Sequence, residues 1–215
     1  SIIDVKVTKK DLDDLKIHYG IENKKIILYV GRLMKRKNAD ILIRAFYKIK
    51  KVEDDVCLLI IGDGECRYQF EELCRELKIE KDVLFLGAIK NKDLPRYYCA
   101  CDVFVFPGSN EPWGLVLNEA MYFGKPVIAT YGVGAAYDLI KEGVNGFIVH
   151  EKDAEALYRA IKKIISDQEL QRNMGMESKK IIEDGYTYDK MVEGFRKAVE
   201  YVRVRAGVKN KCQKS

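Results

Sequence analysis

No apolar run in this chain approaches the roughly 20 residues a membrane-spanning helix needs. The opening residues, Ser1-Ile-Ile-Asp-Val-Lys6, carry no basic flank ahead of an apolar core, so no secretory signal is evident. An initiator methionine is missing too, and the chain is expected to be a trimmed or processed segment. No helix-turn-helix, zinc or RNP-type pattern appears, which sets nucleic acid aside as a partner. None of the six cysteines (Cys57, Cys66, Cys74, Cys99, Cys101, Cys212) forms a CxxC pair, and most sit in apolar stretches. They read as reduced, structural thiols of a cytoplasmic protein. Cys99-Ala-Cys101 offers two thiols with no histidine nearby, a poor metal site, and the chain has only His18 and His150. Low-complexity linkers and internal repeats are also missing.

The composition that remains, 47% hydrophobic and 33% charged, is ordinary for a soluble globular protein. The 215 residues suffice for one sizeable domain with its own core. A net charge of +5 is mild and spread along the chain, which suits an anionic small molecule or a membrane surface.

Short β-rich runs recur at Ile26–Val30, Val56–Ile61, Val83–Leu86, Val103–Phe106, Val127–Ala129 and Phe147–Val149. They are continuously apolar, as expected of parallel strands covered on both faces by helices. Between them, Ala39–Lys50 places Ile41, Leu42, Ala45, Phe46 and Ile49 on one helical face, and Arg67–Leu77 does so with Phe70, Leu73, Cys74 and Leu77. Leu94–Cys101, Leu115–Phe123 and Ala154–Ile165 follow the same spacing. Alternation of this kind predicts an α/β fold with a doubly wound, parallel, six-stranded Rossmann-like sheet. The expected divisions are a leading helical segment over 1–22, the Rossmann-like domain over 23–166, C-terminal helices over 167–205, and a basic tail over 206–215. The leading segment holds a charged helix, Lys9–Tyr19, ending at Gly20, and Gly185 separates the two C-terminal helices.

Ligands of open α/β sheets bind beyond the carboxyl ends of the strands. After the first run comes Gly31-Arg32-Leu-Met-Lys35-Arg36-Lys37-Asn38, with a helix starting near Asn38 or Ala39. Arg32 and Lys37 flank the positive end of that helix, where a phosphate would be held. Read alone, the segment is equally a solvated basic turn. Gly62-Asp-Gly-Glu65 lacks the third glycine of a dinucleotide fingerprint. Gly87-Ala-Ile89 is a small-residue turn whose backbone could meet a flat base. After the fourth run, Glu111-Pro-Trp-Gly-Leu-Val-Leu-Asn-Glu119 places one carboxylate in a loop and one in a helix. Eight residues of helix would rise about 12 Å, near the separation of a hexose and a ribose across a diphosphate. Glu119 could then accept from ribose hydroxyls, while Glu111 binds the sugar and offsets positive charge at its anomeric carbon. Amides of Trp113, Gly114 and Leu115 would open the helix toward anionic or hydroxyl groups. Thr130-Tyr-Gly132-Val-Gly134-Ala-Ala136 offers further amides.

Five segments share one resemblance: Gly31-Arg-Leu-x-x-x-Lys37, Phe85-Leu-Gly87, Asp102-Val-Phe-Val-Phe-Pro107, Glu111-Pro-Trp-Gly-Leu-Val-Leu-Asn-Glu119-Ala-Met and Gly124-Lys-Pro-Val-Ile-Ala129. Together they resemble the C-terminal, donor-binding half of retaining GT-B glycosyltransferases of family 4, the glycosyl transferases group 1. The match runs in order from about Lys24 to Ile165. The resemblance implies transfer of a sugar from a nucleotide-diphosphate sugar, with no cofactor or bound metal. It implies that Gly31, Arg32 and Lys37 meet the donor diphosphate, Glu119 the ribose and Glu111 the transferred sugar. By the same matching, Trp113, Gly114, Leu115 and Val116 supply amides, and the Ile89 backbone meets the base. Arg32, Lys37 and Glu111 would be the catalytic set. An N-terminal half that binds the acceptor is implied as a partner, and nothing before Lys24 matches it.

Asn38 stands where the family has glycine, Gly134-Ala135 replaces paired glycines, and Asp138 replaces a glutamate. Two other readings stay open. One is a sugar-nucleotide binding module without catalysis. The other is a GT-B relative such as a sugar-nucleotide epimerase. The basic tail adds a weaker expectation of peripheral contact at the inner membrane face.

Overall fold

The computed structural model describes residues 5–205. The basic tail, with Cys212, lies outside the described residues. The six strands are β1 (Lys25–Val30), β2 (Val56–Ile61), β3 (Val83–Gly87), β4 (Val103–Phe106), β5 (Val127–Thr130) and β6 (Gly146–Val149). The helices are α1 (Lys9–Tyr19), α2 (Ala39–Lys50), α3 (Arg67–Glu76), α4 (Leu94–Ala100), α5 (Leu115–Tyr122), α6 (Gly134–Leu139), α7 (Ala154–Ile165), α8 (Gln168–Gly185) and α9 (Tyr188–Arg205).

All strand pairs are parallel, in the order β3-β2-β1-β4-β5-β6. Helices cover both faces: α2 packs on α3 and α7, α1 on α4, and α5 on α6 and α8. That coverage is why the strands carry no polar alternation. Every residue of β2, Val-Cys-Leu-Leu-Ile-Ile, is buried. At about 1.5–3 kcal/mol for each large side chain removed from water, the sheet interior dominates the stabilisation of this fold.

The amphipathic face of α2 is broader than the spacing predicts. Ile43 is fully buried, whereas Ile41 is only partly so. The helix is wedged between the sheet, α3 and α7, so two sides of it meet apolar surface. In α1, Thr8 and Asp11 form a reciprocal capping box, and Gly20 closes the far end. Asp11 is thereby committed to capping its own helix. Leu15 of α1 and Met174 and Ile182 of α8 join the same core as the strands. The boundary between α8 and α9 falls just after Gly185. Cys57, Cys66, Cys74, Cys99 and Cys101 are free thiols, and burial pushes Cys57, Cys74 and Cys101 up to about 12. Among the described residues no helix is long and apolar enough to cross a membrane.

The strand order reverses between β1 and β4. Chain leaving β1 turns toward β2, and chain leaving β4 turns toward β5. The loops after these two strands therefore diverge and leave a crevice at their carboxyl ends.

Candidate functional site

The crevice is built by the β1–α2 and β4–α5 loops. After Gly31, the chain forms a short 3-10 turn, Lys35–Lys37, and enters α2 through Asn38. Asn38 sits in the left-handed region (φ 51°, ψ 34°), a conformation asparagine tolerates better than most side chains. Its side chain does not cap α2. The amide donates instead to the Pro107 carbonyl at 2.9 Å and to Ser109 Oγ at 2.6 Å. Ser109 N–H in turn donates to the Arg36 carbonyl at 2.7 Å. The residue that departs from the family pattern thus replaces glycine conformationally and also ties the two loops together.

That tie places Lys37 against Glu111. The Lys37 ammonium donates to Glu111 Oε2 and lies 4.9 Å from the centroid of the Phe106 ring. Lys37 is 8% exposed, well below what is usual for a lysine. Arg36 Nη1 reaches the same Glu111 oxygen at 3.1 Å. Burial pushes the Glu111 carboxyl up, but donation and charge from Lys37 and Arg36 outweigh it and hold the group below its ordinary value. Glu111 therefore stays ionised inside a cationic pocket.

The Glu111 backbone is fixed from the other side. Its N–H donates to Gly132 O at 2.8 Å, and its carbonyl accepts from Gly134 N–H at 2.9 Å. Ala135 N–H donates to Trp113 O at 2.9 Å. The Gly134 and Ala135 amides, which the sequence reading offers to a ligand, are occupied within the chain. A Cβ at Gly134 would stand 2.1 Å from the Pro112 carbonyl oxygen, which is why this contact demands glycine.

α5 begins only at Leu115, after Gly114 at φ 98°. The helix read at Leu115–Phe123 thus starts where expected, with Glu111 in the loop before it, and only the figure of eight helical residues between the two glutamates fails. The helical rise from Leu115 to Glu119 is about 6 Å, not 12. Loop geometry and the Glu111–Val133 bridge set the rest of the separation. α5 has no side-chain cap, and Leu115 beside its open end is exposed. Val116 is half-buried. Trp113 is 38% exposed, and its indole N–H donates to Asn118 Oδ1 at 2.9 Å, bracing the helix start.

Glu119 lies on α5 facing α4, where the Tyr98 hydroxyl donates to its Oε2 at 2.7 Å. Burial raises the Glu119 carboxyl above its ordinary value, and the Tyr98 bond opposes this in part. An aromatic series links the two acid sites through the core. Tyr98 lies 5.7 Å from Phe104, Phe104 lies 6.5 Å from Phe106, and Phe106 carries Lys37.

Arg32 directly follows Gly31, is exposed, and its guanidinium has no ion-pair partner among the described residues. Its carbonyl accepts from the Tyr29 hydroxyl at 3.1 Å. Ile89 follows edge strand β3, two strands away from β1, and packs partly against the core. The structure thus joins Lys37 to Glu111 directly, puts Arg32 on the same loop as Lys37, and leaves Ile89 on the flank. His18 and His150 are exposed, each beside a tyrosine ring, Tyr19 and Tyr131. Asp138 is exposed on α6, and its carbonyl accepts from Tyr186. Three participants escape the sequence reading: Arg36, Asn38 as a clasp, and Tyr98. Arg36 was marked only by adjacency to Lys37, and Tyr98 reads as an ordinary core position on a helix.

Similarity to known proteins bears on the family and the fold. The profile of the family described as glycosyl transferases group 1 matches residues 13–181. An uncharacterized glycosyltransferase, MJ1607, of Methanocaldococcus jannaschii is 31% identical over 191 residues, 88% of this chain and 48% of that protein. The N-acetyl-alpha-D-glucosaminyl L-malate synthase of Bacillus anthracis is 32% identical over 188 residues, 87% of this chain and 48% of its own. The crystal structure of Anabaena Alr3699/HepE in complex with UDP and glucose superposes with a TM-score of 0.83 at 26% identity, covering 94% of this chain and 55% of that one. The chain spans about half the length of the curated relatives it matches. With the profile covering most of its length and the fold shared, the chain belongs to the glycosyl transferases group 1 family.

Proposed function

We propose that this chain is the donor-binding half of a retaining glycosyltransferase, holding a nucleotide-diphosphate sugar in the crevice between the β1–α2 and β4–α5 loops. The observation that carries the reading is the Lys37–Glu111 pair. A cation and an acid from separate loops meet at the reversal point of the sheet. The UDP and glucose bound by a structural relative lend support to a nucleotide sugar as ligand.

In this reading Lys37 and Arg32 face the diphosphate. The bond between the anomeric carbon and the phosphate oxygen breaks, negative charge gathers on the leaving diphosphate, and the cations stabilise it. They take the part a divalent metal would otherwise have. The acceptor oxygen bonds to the anomeric carbon on the same face, and its proton passes to the departing diphosphate oxygen. Glu111, kept ionised, offsets positive charge on the sugar. Glu119 accepts from ribose hydroxyls, the Ile89 backbone meets the base, and the open start of α5, from Trp113 to Val116, meets sugar or phosphate. The acceptor belongs to an N-terminal half of the full protein.

Calorimetric titration with UDP, GDP, ADP and their sugar conjugates tests the reading. One nucleotide is expected to bind. Glu119→Ala should weaken it, while Glu111→Ala mostly spares the nucleotide and weakens the preference for the sugar conjugate. Equal affinities for both variants and the unmodified chain would refute the assignment.

A further inference from the structure

We propose that Tyr98 is a positioning residue for nucleotide recognition, holding one oxygen of Glu119 so that the other is presented to the ribose. The inference rests on the proposed function above.

Four observations support it. First, Tyr98 is fully buried, and its hydroxyl donates to Glu119 Oε2 at 2.7 Å. Second, the ring has no freedom to swing. It stacks on Phe123 beside the end of α5 at 5.7 Å and 9°, and it packs on Phe104 of β4 at 5.7 Å. The hydroxyl is thus fixed relative to both the strand and the helix that border the crevice. Third, the second oxygen of Glu119 has no partner among the described residues, and no buried side-chain oxygen there lacks one. That oxygen therefore faces solvent. Fourth, the phenol is a committed donor, because burial and the Glu119 charge both raise its pKa well above the ordinary value.

A carboxylate on a helix surface ordinarily samples several rotamers, and a ligand must then select one. Here the rotamer is selected before binding. A ribose offers two adjacent hydroxyls, both donors, and one oriented carboxylate oxygen can accept from them. The chemical class recognised is therefore the cis-diol of a ribonucleotide, as distinct from its deoxy forms.

The test compares binding of the preferred nucleoside diphosphate with that of its 2′,3′-dideoxy analogue. In the unmodified chain the ribonucleotide should bind tighter. Tyr98→Phe keeps the ring and removes only the hydroxyl. It should weaken the ribonucleotide about five- to tenfold, the effect of losing one hydrogen bond that orients a charged group. It should leave the dideoxy analogue unchanged. A merely structural role would weaken both ligands alike, and that result would overturn the inference, as would an unchanged ribonucleotide affinity. The double variant Tyr98→Phe with Glu119→Gln avoids leaving a buried charge unpaired and serves if the single variant does not fold. It should match Glu119→Gln alone, and a further loss would count against Tyr98 acting through Glu119. If Glu119→Ala itself leaves ribonucleotide binding intact, the functional reading fails and the inference with it. If Glu119→Ala weakens binding and Tyr98→Phe does not, only the inference fails.

Discussion

Replacing Lys37 by methionine is the sharpest perturbation of the proposed diphosphate site. Methionine retains an unbranched apolar stem over the Phe106 ring, so core packing is largely preserved. What disappears is one ammonium whose side chain is 11% exposed. A hydrogen bond to a charged group contributes about 1.5–3 kcal/mol. A unit charge about 5 Å from a phosphate oxygen, at an effective dielectric of about 20, is worth about 3 kcal/mol before opposing terms. Glu111 supplies the opposing term, since its carboxylate already shares the ammonium. The lower part of the range is therefore expected, a loss of about 1.5–2.5 kcal/mol, or a Kd about 10- to 70-fold weaker. Titration calorimetry at fixed ionic strength reads this directly, with the matching nucleoside as control because it lacks phosphate. The loss should be confined to the diphosphate. Glu111→Gln should act in the opposite sense, leaving diphosphate affinity equal or a few-fold tighter, because the ammonium is then released from an anionic partner. Unchanged diphosphate affinity in Lys37→Met, or an equal loss for the bare nucleoside, would refute the argument.

Asn38→Ala removes two hydrogen bonds from a 5% exposed side chain and forces alanine into the left-handed region. Together these should cost about 2–4 kcal/mol, lowering the melting temperature by about 4–16 °C. Asn38→Gly should cost less than Asn38→Ala because glycine accepts the backbone conformation, and calorimetric melting of both variants decides it. Gly134→Ala should destabilise the chain and impair sugar binding, since its Cβ would strike the Pro112 carbonyl; an unaltered melting curve would contradict that close approach. Protonation also makes a prediction at each glutamate. Burial raises Glu119, against the Tyr98 bond, so nucleotide affinity should fall on acidification at a midpoint above the ordinary glutamate value, as binding across pH 4–8 would reveal. At Glu111 the folded value is depressed. Its contribution to stability is present above the ordinary glutamate value and lost as pH falls through the depressed one, so Glu111→Gln should flatten the acid limb of urea-unfolding stability.

The strands were legible because their whole length is buried, as in Leu58 to Ile60 of β2, and a short, continuously apolar run bounded by turn residues is what a strand covered on both faces requires. Their spatial order was not legible, since nothing local in β1 says that β4, 73 residues beyond Val30 at Val103, lies beside it. At the site, Lys37 and Glu111 could be named because charges at strand ends in this sheet class have a functional reading. Arg36 could not be separated from Lys35 and Lys37 without the turn that aims its side chain at Glu111. Tyr98 was invisible for a different reason. Its spacing on α4 is that of a core residue, which it also is, and only its last atom does polar work.

The loops at the crevice are bonded to one another more than to their own helices. Leu33 N–H donates to Asp63 O and Cys66 N–H to Leu33 O, which zips the β1–α2 loop to the β2–α3 loop. Ser109 joins β4–α5 to β1–α2 through Arg36, and Glu111 joins it to β5–α6 through Gly132 and Gly134. Four loops are thereby locked together before any ligand arrives. Ordering a loop on binding costs about 1–2 kcal/mol per residue fixed, so a crevice built this way diverts little of its ligand's interaction energy to its own ordering. The same network explains why Gly134 and Ala135 cannot lend their amides to a ligand: those donors are what hold the Glu111 segment in place. In the proposed reading recognition falls instead to side chains: Lys37 and Arg36 share one turn of the locked β1–α2 loop, while Tyr98, on α4 outside those four loops, acts through Glu119.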